Sequence, residues 1–292
     1  MKTVRQLKEE LELNGNLTQL MDVLKGIAAT EFWTLTRKRT RFTKFMEAYE
    51  GFFEFINVIG AEHPFAKEQG ALGLIMVTSN EGFMGGLNTR VINAALSYPG
   101  ANAAELIIIG ERGAAYLEPL GRKFMDFPGI PSGECYESAL KIKDFIMREG
   151  LAGKFGRLVL FYPRPLSFMI QKIEQLVILP CTSLFEKKKS EEKPAESIIV
   201  ESPINDIIEY LVETWIVQKL FEVFEDSKLA EFSARTVHLE ESYQILIEQG
   251  KGMRHQYFGG LHELVDSEMR DIYSAQIVRK KTWKRRATGG GP

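Results

Sequence analysis

LGLIMVTSNEGFMGGLN, residues 72–88, is the stretch of sequence that decides the fold. Its first half is a short apolar run rich in branched side chains, which is typical of a buried β-strand. Gly82, Gly85 and Gly86 follow, and helical spacing begins at Leu87. A strand, a tight turn and a helix in this order predict a layered α/β domain.

The sequence beyond this stretch alternates in the same way. Short apolar runs are separated by segments with helical spacing, which favours a mostly parallel sheet. The polar run at 186–197 is expected to be a flexible loop, because it has too few apolar side chains to pack. The predicted strands are Leu72–Thr78, Glu105–Ile109, Arg157–Tyr162 and Gln175–Leu179, and the predicted helices are Leu87–Ser97 and Glu137–Arg148.

Proline is missing from both ends of the chain. The first proline is Pro64, and none occurs between Pro203 and the last residue, Pro292. A proline costs about 3 kcal/mol inside a helix. The two ends are therefore predicted to be long helices that frame the α/β domain.

An apolar repeat of seven residues supports the N-terminal helix. Its alternating spacing of three and four residues is typical of a coiled-coil seam, and only Glu31 and Lys38 interrupt it. The C-terminal stripe is looser, and four glycines at 250–260 are expected to kink or fray that helix. An ordinary helical bundle is the alternative. The repeat comprises Leu17, Met21, Leu24, Ala28, Leu35, Phe42, Phe45, Tyr49, Phe52, Ile56 and Ile59.

These patterns predict a long antiparallel coiled coil with an inserted, Rossmann-like α/β domain. Residues 1–63 are assigned to the N-terminal coiled-coil helix and 64–203 to the α/β domain. Residues 204–278 are assigned to the C-terminal coiled-coil helix, and 279–292 to a basic tail that is expected to be disordered. The two helices are expected to pack against each other.

Composition and motifs argue against several functions. A formal net charge of −2 favours neither nucleic acid nor an anionic membrane surface, and no apolar run reaches the roughly 20 residues that span a bilayer. Cys135 and Cys181 lie far apart without CxxC spacing, which fits a reducing compartment. The histidines have no metal-ligand spacing and no GxSxG motif is present. No catalytic residue and no metal site is predicted.

The glycine loop lies between a strand and a helix, the position of a phosphate-binding loop. The spacing does not match, because Asn80 stands where GxGxxG has its first glycine and no GK[ST] follows. Gly82, Gly85, Gly86 and Asn88 are therefore interpreted as a structural turn, and no cofactor is predicted. A dinucleotide-binding enzyme with helical arms stays as an alternative.

Several motifs resemble one protein family. The strand and TSNEGFMGGLN resemble the TS-D-R-G-L-C-G-G-L-N signature of the gamma subunit of F-type ATP synthases. Further segments resemble that family in the same order along the chain. They are IIIGERG at 107–113, the two-strand segment at 157–180, EFSARTVHL at 231–239 and SEMRDIYSA at 267–275.

The resemblance includes departures. Asn80-Glu81 replaces the signature's Asp-Arg pair, and the basic tail extends past the family's usual end. Glu231, Arg235 and Glu268 match family positions and are candidate contacts with partner proteins. The chain is therefore identified as a divergent member.

The resemblance implies a non-catalytic central shaft that couples ion flow through a membrane ring to conformational change in catalytic subunits. The implied partners are the alpha and beta subunits, an epsilon-type subunit and the membrane rotor ring, with no nucleic acid and no membrane span of its own. The implied location is the cytoplasmic face of a bacterial plasma membrane.

Charged residues provide the remaining contact candidates. A dense basic cluster is expected to meet acidic loops of the catalytic subunits, and Glu201 is expected to face the membrane ring. A solvated helix face is the alternative for the cluster. A coiled-coil scaffold that binds nucleic acid through this cluster and the basic tail is a further alternative. The cluster consists of Arg37, Lys38, Arg39, Arg41 and Lys44.

Overall fold

The computed structural model describes residues 2–38, 65, 70–181 and 203–288. The chain divides into two compact units. One consists of Met1–Leu24 with Glu240–Pro292, and the other of Lys25–Leu239.

The described helices and strands confirm the alternating order of the central segment. The predicted strands are all present, within a few residues of their expected ends. A short strand at Phe124–Phe127 and a short helix at Glu111–Leu117 had no clear sequence signal. In chain order the elements are α1 (Val4–Lys38), β1 (Ala71–Val77), α2 (Leu87–Leu96), β2 (Glu105–Ile109), α3 (Glu111–Leu117), β3 (Phe124–Phe127), α4 (Cys135–Leu151), β4 (Phe155–Pro165), β5 (Gln171–Leu179) and α5 (Ile204–Thr288).

The five described strands form one sheet in the order β3-β2-β1-β4-β5. β1 pairs in parallel with β2 and β4, and β3 pairs in parallel with β2. Only β5 is antiparallel, since a tight hairpin joins it to β4. The prediction of a mostly parallel sheet is confirmed.

The central strands are buried on both faces, which explains why they read as continuous apolar runs rather than as alternating ones. On one face, Ile75 and Ile107 pack in a core that includes α4 and the first part of α5. On the other face, Met76 and Ile108 pack in a core with α2. Neighbouring residues of each strand thus enter different cores.

In the unit formed by Lys25–Leu239, α1 packs against α5. Ala28 and Phe32 of α1 form a buried cluster with Leu229 and Phe232 of α5. The half-buried Leu35 extends this cluster by one further turn.

In the unit formed by Met1–Leu24 and Glu240–Pro292, the same two helices pair in antiparallel orientation. Asn14 of α1 faces Gly250 of α5. Val4 and Leu7, closer to the start of α1, face Gly260, which lies further along α5. Within the described residues, the prediction that the terminal helices pack antiparallel is confirmed.

The predicted seam is partly right. Ala28 is buried and Met21, Leu24 and Leu35 are half-buried, but the buried residue of the next turn is Phe32, beside Glu31, which the prediction treated as an interruption. The reason is that Phe32 buries far more apolar surface against α5 than a carboxylate could. Leu17, a predicted seam residue, is exposed. The repeat beyond Lys38 lies outside the described residues.

α5 is one continuous helix through the four glycines and up to Thr288. The expected fraying at 250–260 does not occur, because Gly250 and Gly260 allow α1 side chains to approach closely. Residues 279–288 are helical rather than disordered, which corrects the expectation for the tail. Lys and Arg are good helix formers, and their positive charge is favourable at a helix C-terminus.

The predicted domain boundaries at 63 and 203 lie in or beside segments outside the described residues, so that division remains a prediction. None of the described helices has a segment long and apolar enough to cross a membrane.

Candidate functional site

The glycine loop, residues 78–88, connects β1 to α2 and contacts α5. The Arg235 Nε–H donates a hydrogen bond to the carbonyl oxygen of Gly82 at 3.3 Å. Met84 and Leu87 pack with Ala234 in a small buried cluster. Both polar and apolar contacts therefore join this loop to α5.

Three charged side chains of α5 form a buried network beside the loop. Glu231 accepts a hydrogen bond from Arg235 at 2.7 Å and one from Lys228 at 2.8 Å. Arg235 also lies 3.0 Å from the carboxylate of Glu81, whose side chain is 72% exposed. Charge-assisted bonds between buried partners are strong and directional, so this network fixes the orientation of Arg235, the residue that bonds to the loop.

Glu231 and Arg235 were predicted as partner contacts. In this structure both side chains are buried and contact each other. A direct contact with a partner protein remains a prediction for them. Lys228, the third member of the network, was not identified from the sequence.

The backbone of the loop adopts the left-handed conformation at three residues. Gly85 and Gly86 have φ of 55° and 81°, which glycine adopts without strain. Phe83 has φ of 64°, which is rare and unfavourable for an aromatic residue. These φ angles are those that a structural turn at Gly85 and Gly86 requires, and that interpretation stays a prediction. No motif predicted the conformation of Phe83.

Polar side chains occupy the inside of the turn. The Asn88 side-chain amide donates to the Ser79 hydroxyl at 2.9 Å, and Asn88 Oδ1 accepts the Ser79 backbone N–H at 3.3 Å. Asn80 Oδ1 accepts the backbone N–H of Glu111 at 3.1 Å, at the start of α3. Asn80, which replaces the first glycine of a nucleotide motif, thus stabilises a helix terminus.

The β4–β5 hairpin provides a second connection to α5. Arg164 of β4 lies 3.3 Å from the buried carboxylate of Asp226, and Gln171 of β5 donates to the Ser233 hydroxyl at 3.0 Å. The turn of the hairpin contacts α1 through Phe168. The sequence carried no signal for these contacts, because they join residues far apart in the chain.

A third connection lies between α4 and α5. Burial lowers the pKa of Lys143, but hydrogen bonds to Asp144 and Glu213 outweigh burial and raise that pKa overall. The Lys143 ammonium contacts the Glu213 carboxylate at 2.5 Å. This ion pair holds α4 against the first part of α5.

The other predicted site residues are dispersed. Arg37 and Lys38 are exposed at the end of α1, and Glu268 is exposed on α5. Arg39, Arg41, Lys44 and Glu201 lie outside the described residues. No cluster of His, Cys, Asp or Glu that could hold a metal ion occurs in the described part of the chain.

The fold and these contacts define a class of protein. Two terminal helices pair as an antiparallel coiled coil, and one of them contacts a doubly covered α/β sheet through the Arg235–Gly82 hydrogen bond and the Arg164–Asp226 ion pair. This arrangement is suited to transmitting force between helix and sheet.

Comparison with known proteins identifies the family. The family model described as ATP synthase matches residues 3–257. The ATP synthase gamma chain of Ruminococcus albus is 24% identical over 289 residues, covering 95% of this chain and 99% of the relative. The ATP synthase gamma chain of Trichlorobacter lovleyi is 20% identical, and the match covers 94% of this chain and 98% of the relative. The chain belongs to the ATP synthase family, as a gamma chain.

Solved structures show the same fold. The rotor of the Euglena gracilis mitochondrial ATP synthase has a TM-score of 0.66 at 15% identity, covering 90% of this chain and 98% of that one. The central stalk and c-ring structure of the mitochondrial ATP synthase from Tetrahymena thermophila has a TM-score of 0.59 at 15% identity. The match covers 76% of this chain and 99% of that one. As a gamma chain, this protein is a non-catalytic subunit with the fold of the central stalk of an F-type ATP synthase.

Proposed function

We propose that this chain is the rotary shaft that couples ion flow through a membrane ring to conformational change in alpha and beta subunits. As the shaft turns, it makes different contacts with each catalytic subunit. Those differences in contact free energy shift the conformation of the catalytic subunit, because a partner can change an equilibrium only by binding the two states unequally.

The observation that carries this proposal is the buried network of Lys228, Glu231 and Arg235 on α5. Exposed ion pairs contribute only about 0–1 kcal/mol and yield easily. A buried, hydrogen-bonded network holds Arg235 in one orientation, because releasing it leaves uncompensated buried charge. Arg235 donates to the Gly82 carbonyl, and Met84 and Leu87 pack on Ala234, so these contacts carry a force on the sheet to α5 through the glycine loop.

The proposed partners are the alpha and beta subunits, an epsilon-type subunit and the membrane rotor ring. The matched Euglena structures contain a rotor, F1 and a c-ring, which supports this set. We place the chain at the cytoplasmic face of a bacterial plasma membrane, held there by its partners. The bacterial gamma chains among its relatives support that location.

The basic cluster at 37–44 is proposed to engage acidic loops of the catalytic subunits. Replacing Arg37, Lys38, Arg39 and Arg41 by glutamate should reduce ATP-driven ion pumping far more than assembly. Pumping and hydrolysis are measured on the same reconstituted vesicles. The control replaces the exposed Lys123 and Lys141 of the α/β layer by glutamate, and it should pump normally. Wild-type coupling in the fourfold variant would mean that the cluster is only a solvated face.

Glu201 is proposed to lie near the membrane ring. Glu201→Gln should loosen attachment to the ring and leave hydrolysis by the detached catalytic head intact. Retention of full pumping in this variant would contradict that placement.

A further inference from the structure

The turn between β4 and β5 directs one aromatic side chain inwards. Phe168 is half-buried, whereas its neighbours Ser167 and Met169 are exposed. The Phe168 ring packs on the apolar cluster in which Phe32 of α1 meets Phe232 of α5. Phe168 therefore lies at the junction of the two helices and the β4–β5 hairpin.

Three aromatic rings contact one another at this junction. The Phe168 ring meets Phe32 edge-on, with 4.9 Å between centroids, and lies parallel to Trp33, with 6.1 Å between centroids. Phe32 and Trp33 are edge-on to each other, with 5.2 Å between centroids. Edge-on and offset parallel arrangements are the preferred geometries of aromatic pairs, so these contacts are directional. We call Phe32, Trp33 and Phe168 the aromatic clamp.

The aromatic clamp holds α1 on two sides. Phe32 and Trp33 are consecutive residues, so their side chains leave the helix about 100° apart around its axis. Because Phe168 contacts both, rotation of α1 about its own axis would separate Phe168 from one of them. The apolar cluster that joins α1 to α5 is held by burial, which is non-directional. Phe168 therefore fixes the rotation of α1 more closely than the apolar cluster does.

The hairpin that carries Phe168 is itself held to α5 on both sides of the turn. On the β4 side, Arg164 lies 3.3 Å from the buried carboxylate of Asp226. On the β5 side, the Gln171 side-chain amide donates to the Ser233 hydroxyl at 3.0 Å and to the Phe168 carbonyl oxygen at 3.5 Å. The hairpin thus contacts α5 through polar side chains and α1 through Phe168.

We propose that Phe168 is a positioning residue for coupling, which locks α1 to the β4–β5 hairpin. With the clamp in place, the parts of α1 and α5 within Lys25–Leu239 turn with the sheet as one body. Without it, a force on the sheet reaches α5, while α1 is free to rotate in its seam instead of following. The inference rests on the proposed function, and it adds a residue that was not among the predicted contact candidates.

A packing role is the alternative, in which Phe168 only fills space beside α1. The two roles differ in which residue can replace phenylalanine. Leucine keeps most of the apolar contact but has no ring, so it preserves packing and loses the directional contacts. Tyrosine keeps the ring and therefore keeps both.

The experiment uses the full chain assembled with its partner subunits in vesicles, and it measures the ratio of ATP-driven ion pumping to ATP hydrolysis. For Phe168→Leu we expect this ratio to fall by roughly fivefold, while hydrolysis and the melting temperature of the chain change little. Phe168→Tyr should keep the wild-type ratio. Met169→Ala is the matched control, since Met169 is the next residue of the turn and is 65% exposed, and it should also keep the wild-type ratio.

A covalent link tests the clamp directly. Trp33 and Phe168 are both replaced by cysteine, and a short bismaleimide joins the two thiols. The native Cys135 and Cys181 are buried and should not react. The double variant should have a low ratio of pumping to hydrolysis before the reaction and regain most of the wild-type ratio after it. The Phe168→Cys single variant, treated with the same reagent, should keep its low ratio.

Other outcomes overturn the inference. A wild-type ratio in Phe168→Leu would mean that the residue only fills space. An equal loss in Met169→Ala, or a cross-linked double variant that stays uncoupled, would show that the contact with α1 does not carry the effect. In each of these cases a wild-type chain that assembles and pumps would leave the proposed function intact. Failure of the wild-type chain to assemble or pump would instead refute the proposed function.

Discussion

Asn14 of α1 is buried directly against Gly250 of α5. A Cβ atom at position 250 would lie 2.7 Å from Asn14 Oδ1, which is closer than such atoms can approach. A buried asparagine in a coiled-coil seam lowers stability but selects one register. Gly250 therefore provides the space that Asn14 needs. Asn14 in turn sets the pairing of α1 and α5 within the unit formed by Met1–Leu24 and Glu240–Pro292.

Gly250→Ala should destabilise the coiled coil although alanine is the better helix former. The helix gains about 1 kcal/mol of propensity, but the new methyl group displaces the buried Asn14 amide. Gly252→Ala is the control, because nothing lies within 4 Å of its Cβ position, and it should stabilise the helix by about 1 kcal/mol. The melting temperatures of the Gly250→Ala and Gly252→Ala variants are measured by thermal unfolding, followed by the circular dichroism signal of the helices.

Replacing Asn14 as well tests whether the loss in the Gly250→Ala variant comes from the clash between the new methyl group and the Asn14 side chain. In the double variant Asn14→Ala with Gly250→Ala, the clash is absent, so the double variant should melt above the Gly250→Ala single variant. Equal melting of the Gly250→Ala and Gly252→Ala variants would contradict the contact.

Glu231→Gln should be strongly destabilising. It removes the buried carboxylate that Lys228 and Arg235 share and leaves Arg235 only the exposed Glu81, and breaking a buried pair costs about 3 kcal/mol. Glu81→Gln removes an exposed partner of the same Arg235 and should cost less than about 1 kcal/mol. The free energies of unfolding of the Glu231→Gln and Glu81→Gln variants are measured by urea unfolding, monitored by tryptophan fluorescence. Similar losses for both variants would mean that the network is not buried in solution.

Gly86→Ala should destabilise the loop by about 1 kcal/mol through backbone strain alone. Its φ is 81° and no atom lies within 4 Å of its Cβ position, so no steric clash contributes. Gly82→Ala is the control, since its nearest neighbour, Arg112, is at an ordinary 3.7 Å. Both are compared by thermal unfolding. A greater loss from Gly82→Ala would show that the loop has a different backbone conformation.

Stability should decrease at alkaline pH because of two buried thiols. Burial raises the pKa of Cys135 to about 11 and that of Cys181 to about 12, from an ordinary value of 9.0. The unfolded chain therefore releases these protons at lower pH than the folded chain. Their contribution is fully present below the ordinary value and is lost as pH rises above it.

The measurement is the free energy of unfolding from about pH 8 to 9.5. Replacing both cysteines by alanine should flatten the decline in this window. The absolute stability of that variant is not the criterion, since the cavities it creates lower stability at every pH. An unchanged slope would contradict the raised pKa values. Tyr162 and Lys143, whose pKa values are also raised, titrate above this window.

The glycine loop should not bind ATP or NAD at millimolar concentration. Its side chains Ser79, Asn80 and Asn88 are committed to contacts within the protein, and Arg235 holds the Gly82 carbonyl. Calorimetric titration of the full chain tests this. Saturable binding of ATP or NAD in the micromolar range would contradict this prediction and favour the alternative of a dinucleotide-binding enzyme.

Local sequence determined the main elements of this protein. β1 and β2 were predictable because strands buried on both faces are continuous apolar runs, and Gly86 marked a turn that few other residues allow. The absence of proline between Pro203 and Pro292, together with an apolar stripe, predicted α5 as a helix, although its end at Thr288 was not predicted. Each of these features depends on the residues of a single segment and not on its partners in the fold.

Tertiary packing decided the rest. The apolar repeat was interrupted at Glu31, and only contact with Leu229 and Phe232 makes the neighbouring Phe32 the seam residue of that turn. Phe83 has a positive φ, and the preceding residue, Gly82, accepts a hydrogen bond from Arg235, which lies 153 residues away in the chain. A local pattern carries no information about such distant partners, because the free energy that selects them comes from surfaces that meet only in the folded chain.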